Sequence, residues 1–365
     1  MSQRSVGGLE SAHVHSPFSV VSRRIACERR GAQGSLMQPL QLLALLAAGE
    51  PVSGSALAAQ TGVTRAVIWK QVEALRACGV PIEARGSAGY RLPWPLQMLD
   101  VAQIRAGLSE SGAGALGTLE VHGELDSTSS ELQRRIASAG DLSMVLAESQ
   151  SAGRGRRGRS WLSPPGMNLY LSCLKRFESG FAALSGLSLA VGVMVLRALD
   201  ELGVAGAGLK WPNDVLAVAG HGARGKLGGI LVELSGEYQG PCAAIIGIGL
   251  NLRLTPALHR QAGQPACDVA SLTAGAPPDR NRAAAALIEA LARGLQQFES
   301  EGFAAFLADY TRHDLLRGQS LQLSGALGTF DGIGAGVDAR GALQVRMPDG
   351  SQRCVDSADV TVRRA

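Results

Sequence analysis

Two short segments of this 365-residue sequence carry residues suited to binding anions. The first is Gly153-Arg154-Gly155-Arg156-Arg157-Gly158, a GxGxxG pattern with arginine at every variable position. Guanidinium forks match carboxylates and phosphates, and glycines let backbone N–H groups approach the same anion. Context excludes a dinucleotide loop, which opens an apolar helix; here RSWLSPPG follows. Taken alone, the loop also fits a flexible basic surface or an RNA-binding patch. The second segment is Lys210-Trp211-Pro212-Asn213-Asp214. Its compact ammonium can neutralise a carboxylate or a phosphate, and the same residues alone would also serve as a structural turn. A third candidate fails. Gly220 to Lys226 spells GxxxxGK, but Leu227 stands where a P-loop needs Ser or Thr, and LGGILVEL reads as strand.

These segments need elements to hold them. Residues 1–36 show no helical or strand period and are expected to be disordered, with Met37 an alternative start. From 37 to 96 the pattern is that of a winged helix-turn-helix. Leu40, Leu43 and Leu46 recur at helical spacing, Ser53 caps a second helix, and Gly62 turns the chain. Thr64 caps a third helix, RAVIWKQVEALRACG, which ends at Gly79. Ile68, Val72 and Leu75 share one face of it, while Arg65, Trp69 and Arg76 share another. IEARGSAGYRL then reads as a hairpin wing. Such a module binds DNA, through Thr64, Arg65, Trp69 and Lys70, or serves as a helical interaction module.

Pro93 and Pro95 mark a boundary. Residues 97–315 mix strand-like runs (MVLAE, NLYLSCL, KLGGILVEL, AAIIGIGLNL) with helical ones at 181–202 and NRAAAALIEALARGLQQFES. Residues 316–365 alternate in short strands with Gly turns, suited to a small β-barrel that must pack on its neighbour to be stable.

Composition narrows the class. Hydrophobic residues reach 46% and charged ones 18%, enough to bury a core. No apolar run is long enough to span a bilayer. The cysteines at 27, 78, 173, 242, 267 and 354 form no CxxC pair and none pairs with His at zinc spacing. That argues against disulfides and structural zinc, and fits a reducing cytoplasm. Of the net charge of +4, the five Arg and two Glu of the first 35 residues contribute +3. Any basic site in the remainder is therefore local.

Together the motifs resemble the biotin protein ligases of the bifunctional kind, which are also repressors of the biotin operon. The matching pieces are Asp126-Ser127-Thr128-Ser129, Glu148-Ser149-Gln150, GRGRRGRSW at 153–161, Asn168-Leu169-Tyr170, KWPND at 210–214, KLGGILVE at 226–233 and GIGLN at 247–251, in family order. They imply an α/β (α+β) multidomain chain: a winged helix, a central mixed α/β domain of the biotin/lipoate-ligase type, and a C-terminal SH3-like β-barrel.

The resemblance further implies an ATP-dependent ligase. It makes biotinoyl-5′-AMP from biotin and ATP, with Mg²⁺ bound largely through the triphosphate and no tightly held metal. It then passes biotin to a lysine of the biotin carboxyl carrier protein. Lys210, Arg154 and Arg156 take the catalytic places. Ser127, Thr128, Ser129, Gln150, Gly155, Gly247 and Gly249 join them at biotin, and Trp161 and Asn251 at the nucleotide. Gly228, Gly229, Gly247 and Gly249 lie in strand-like runs, where a flat ligand against the backbone would explain their cost, as would tight strand packing. Ser129 stands where the family has Asn. Either the residue faces the ring urea, or it caps the following helix; the SSELQRRIA run favours the cap. Trp69 stands where the related repressor has a small polar residue. One recognition helix with few cations is a weak DNA ligand, so operator binding is expected from a homodimer promoted when biotinoyl-AMP orders the 153–158 loop. Two rival classes remain: a biotin-sensing regulator without ligation, and a lipoate-type ligase.

Overall fold

A computed structural model describes residues 39–219, 222–325, 328–356 and 360–364. The 1–36 extension and Met37 lie outside the described residues.

The N-terminal module has α1 (Pro39–Leu45), α2 (Gly54–Thr61), α3 (Arg65–Ala77) and a hairpin of β1 (Glu83–Ala84) and β2 (Tyr90–Arg91). Its caps follow from the residue types. Ser53 Oγ accepts from Ala56 N–H, Thr64 Oγ1 accepts from Val67 N–H, and Gly62 ends α2 in the left-handed region at φ 69°. Ile68, Val72 and Leu75 are buried against Leu42, Leu43, Leu46 and Leu57, a core separate from that of the rest of the chain. Each such side chain contributes about 1.5–3 kcal/mol.

The central region runs α4 (Val101–Ala106), α5 (Glu110–Ala115), β3 (Leu119–Leu125), α6 (Thr128–Arg134), β4 (Ser143–Gln150), β5 (Leu169–Phe177), α7 (Leu187–Glu201), β6 (Ala207–Lys210), β7 (Asp214–Ala219), β8 (Gly222–Gly236), β9 (Cys242–Leu250), α8 (Pro256–Gln261), α9 (Arg280–Glu301) and α10 (Leu307–His313). One mixed sheet has the order β3-β4-β5-β9-β8-β7-β6; only β3 and β4 pair in parallel, with α6 as their crossover. The α7 helix is buried on nearly every side. It lies between the sheet and α9, which explains its mostly apolar sequence, with Arg197, Asp200 and Glu201 exposed in its C-terminal half.

A second sheet closes the chain, with β10 (Ser320–Gly325), β11 (Gly328–Val337), β12 (Leu343–Arg346), β13 (Gln352–Val355) and β14 (Val360–Arg364) in the order β13-β12-β11-β10-β14. Among the described residues no ladder joins β13 to β14, so the expected barrel is an open five-stranded sheet here. Its buried Leu321, Leu323, Leu343 and Val345 belong to the same core as α7 and α9. This sheet borrows its apolar partner, as its small size requires.

Two motif residues turn out to be framework. Glu148 and Arg280 form a buried ion pair at 2.7 Å. Glu148 also accepts from Leu99 N–H, and Arg280 donates to the carbonyls of Gln97 and Asn168. Asn168 Oδ1 accepts from the N–H groups of Leu252 and Arg253. The chain leaving the winged helix is thereby tied to the ends of β4 and β9. A further tie is Thr255 Oγ1, which donates to Gly79 O at 3.3 Å.

Candidate active site

The motif segments converge on one cavity of about 610 Å³ on the mixed sheet. Ser127, Thr128, Ser129, Gln150, Arg154, Gly155, Arg156, Trp161, Lys210, Gly247 and Gly249 all line it. One group of these side chains is of hydroxyls and an amide. Ser127 is the N-cap of α6 and accepts from Ser130 N–H, so the capping role expected of Ser129 belongs to Ser127. Ser129 lies inside the helix, 4% exposed, with its Oγ 2.9 Å from Ser172 Oγ. Ser129 is among the residues that line the cavity. Thr128 Oγ1 is 2.7 Å from the same Ser172 hydroxyl, and Thr128 N–H donates to Gln150 Oε1. Gln150 Nε2 donates to Ser163 Oγ. Ser172 is not marked by the sequence, where its only signal is one small hydroxyl in the largely apolar run LYLSCL of β5.

A second group of lining residues is basic. Residues 153–161 double back as a small hairpin: Gly155 N–H donates to Arg159 O, Trp161 N–H to Gly153 O, and Arg157 sits at φ 57°. Arg154 pairs with Glu233 of β8. Arg156 reaches Asn213 Oδ1 at 3.4 Å. Burial, and then the Arg157 charge, pull Arg156 below the usual guanidinium value; at neutral pH it is still a cation. Lys210 ends β6 and enters the cavity beside Asn213 and Asp214. The structure adds a second ammonium. Lys226 Nζ lies 2.6 Å from Asp214 Oδ1 and 5.3 Å from the centre of the Trp161 ring. The sequence offers Lys226 as the last residue of the failed GxxxxGK run and the first of KLGGILVE, with no partner to mark it.

The strand glycines make room for the protein's own side chains. A Cβ on Gly249 would lie 2.3 Å from the Trp161 indole, and one on Gly247 2.6 Å from Ser129 Oγ. At Gly229 a Cβ would meet Lys226 and Trp161 at 3.1 Å, and at Gly228 the neighbouring Gly249 carbonyl at 3.0 Å. Asn251, the residue expected at the nucleotide, follows directly on β9. It is buried and outside the cavity lining, with its side-chain amide donating to the carbonyls of Lys226 and Cys267. It braces the strand that carries Lys226.

On the N-terminal module Arg65, Trp69 and Lys70 are exposed, Trp69 at 55%, and Thr64 serves as cap. Arg76, expected on the same face, is not available there, because its guanidinium is held by Glu73 at 2.7 Å and by Ile82 O.

Fold and site define a mixed-sheet domain with one partly cationic cavity, joined to a helix-turn-helix module. Residues 39–91 match an HTH domain, and 123–251 match the Biotin/lipoate A/B protein ligase family. The bifunctional ligase/repressor BirA of Escherichia coli is 37% identical over 330 residues, 90% of this chain and 98% of that protein. BirA of Bacillus subtilis is 29% identical, over 86% of this chain and 94% of its own. The biotin protein ligase from Aquifex aeolicus, solved in complex with biotin and ATP, superposes with a TM-score of 0.57 at 27% identity, covering 68% of this chain and 99% of that one. The chain belongs to the family of the bifunctional ligase/repressors BirA.

Proposed function

We propose that this chain activates biotin with ATP as biotinoyl-5′-AMP and transfers biotin to a lysine of the biotin carboxyl carrier protein. The observation that carries the reading is that one cavity is lined both by a hydrogen-bonded hydroxyl-and-amide group (Thr128, Ser129, Gln150) and by a set of cations (Arg154, Arg156, Lys210, Lys226). Biotin's ring carries one urea, which needs donors and acceptors; its carboxylate must meet an α-phosphate, and like charges approach only with cations between them. Lys210 neutralises both groups, and Arg154 and Arg156 close on the adenylate. Trp161 packs on adenine. Mg²⁺ arrives with the triphosphate as part of the substrate. The carrier's lysine is the nucleophile, so no side-chain nucleophile is required.

The winged helix represses biotin-synthesis genes, as a homodimer that biotinoyl-AMP promotes, with Thr64, Arg65, Trp69 and Lys70 at the operator. Pairing places two recognition helices in successive major grooves and adds phosphate contacts. The C-terminal sheet is of the SH3-like type, and the reaction is cytoplasmic.

One experiment separates the readings. The chain is incubated with ATP, a carrier domain and either biotin or lipoate, and the mass added to the carrier is read. Biotinylation is the expected result. Lipoylation, or no transfer despite biotin binding, would select one of the rival classes. Sedimentation with and without biotin plus ATP tests the dimer; an equal dimer fraction in both would refute ligand coupling.

A further inference from the structure

The segment that presents Lys210 is held from several sides, and two of its anchors come from beyond α10. Leu315 N–H donates to Leu209 O at 2.9 Å, adding the chain entering the C-terminal sheet to the free edge of β6. Trp211, 1% exposed, donates from Nε1 to Gly341 O at 3.0 Å, in the turn between β11 and β12. The remaining anchors are local. Ser188 Oγ donates to Pro212 O, and Asn213 exchanges hydrogen bonds with Ile230.

The turn is built to deliver that carbonyl. Asp338 Oδ1 accepts from Arg340 N–H and Ala342 N–H, both at 2.9 Å, and Gly341 N–H donates to Asp338 O. Gly341 has φ +82°, and a Cβ there would sit 2.8 Å from Gly186 Cα at the start of α7. Both facts require glycine. The turn is therefore seated on the α7 N-terminus with its carbonyl aimed at the indole.

We propose that the Asp338–Gly341 turn, through Trp211, is a positioning element for Lys210: the C-terminal sheet holds the adenylation lysine in register. The proposal rests on Lys210 acting in adenylate formation. A lysine carries four rotatable bonds, so a tethered base is what converts its charge into transition-state stabilisation. Loosening the tether should lower turnover and leave ground-state binding intact.

The test uses the full chain and biotin-dependent ATP–pyrophosphate exchange. Trp211→Phe keeps a ring in the buried slot and deletes the donor. Asp338→Ala loosens the turn from a distance. Trp211→Phe should lower kcat about fivefold to tenfold, the worth of one hydrogen bond, with KM for biotin and ATP within about twofold of wild type. Asp338→Ala should act in the same direction, and the double variant should be no slower than Trp211→Phe alone, because both cut one link. A wild-type kcat in Trp211→Phe with only a lowered Tm, or losses that multiply in the double variant, would overturn the proposal. Should Trp211→Phe fail to fold, Asp338→Ala decides alone: an unchanged kcat overturns it. Wild-type protein without exchange activity would condemn the adenylation reading instead.

Discussion

Lys226→Met separates a cation that acts on substrate from one that merely balances Asp214. The substitution keeps an unbranched apolar side chain beside Trp161 and removes the charge that lies over its ring. The pair lies at 2.6 Å with side chains 16% and 23% exposed. At an effective dielectric of about 20, its gross attraction is about 6 kcal/mol. Desolvation and competing water reduce the net worth to about 1–2 kcal/mol for a partly buried pair. Stability should therefore fall by about that amount, a few degrees in Tm. The effect on chemistry should be larger. A missing cation where charge develops costs about 10²–10³ in rate. The freed Asp214 carboxylate adds repulsion toward phosphate. The assay is biotin-dependent pyrophosphate exchange on Lys226→Met, Asp214→Asn and the double variant. The double variant should recover Tm, because the orphaned carboxylate is gone, and should not recover kcat. Full recovery of kcat in the double variant, or a single variant within about threefold of wild type, would refute a role for Lys226 on the substrate.

Three more outcomes follow from the geometry. Glu148→Ala should destabilise the fold by about 3–5 kcal/mol, read by denaturant unfolding, because it strands the buried Arg280 and frees Leu99 N–H. Trp69→Ala should weaken operator binding by about 1–3 kcal/mol in a titration at fixed salt, with carrier biotinylation unchanged, since the indole is exposed on α3 far along the chain from the cavity residues. The hydrogen bond from Arg135 holds the Glu120 carboxyl below its usual value, that from Arg134 does the same for Asp126, and that from Arg197 for Asp309. Their depressed folded values make this contribution full above the unfolded carboxylate range near pH ~4 and lose it as pH falls through the lower folded values. Tm should hold between about pH 8 and 5 and drop below about pH 4; a fall that begins above about pH 6 would count against these pairs.

Much of this protein is legible along the chain because its signals are local. Caps, turns and periodicity depend on residues a few positions apart, so Ser53, Gly62, Thr64 and the buried face of Ile68, Val72 and Leu75 are readable from the order of residues alone. The GRGRRG and KWPND segments are likewise local clusters of charge, and they do meet in one cavity. What tertiary structure alone decided are partnerships across the sheet. Ser129 reads as a cap until Ser127 is found in that place and Ser172, 43 positions on, is found against its hydroxyl. Asn251 reads as a nucleotide ligand, and only the fold shows its amide donating to the carbonyls of Lys226 and Cys267. Lys226 gains meaning only from Asp214 and Trp161, which the pairing of β7 with β8 and the fold-back of the basic loop bring to it. The strand glycines announced a close approach, and the identities of the approaching groups, the Trp161 indole at Gly249 and Gly229 and the Ser129 hydroxyl at Gly247, came from the fold. The physical reason is common to all of these. Hydrogen bonds and ion pairs act over about 3 Å, and which side chains lie that close is settled by strand order and register, which bring together residues that no local pattern relates.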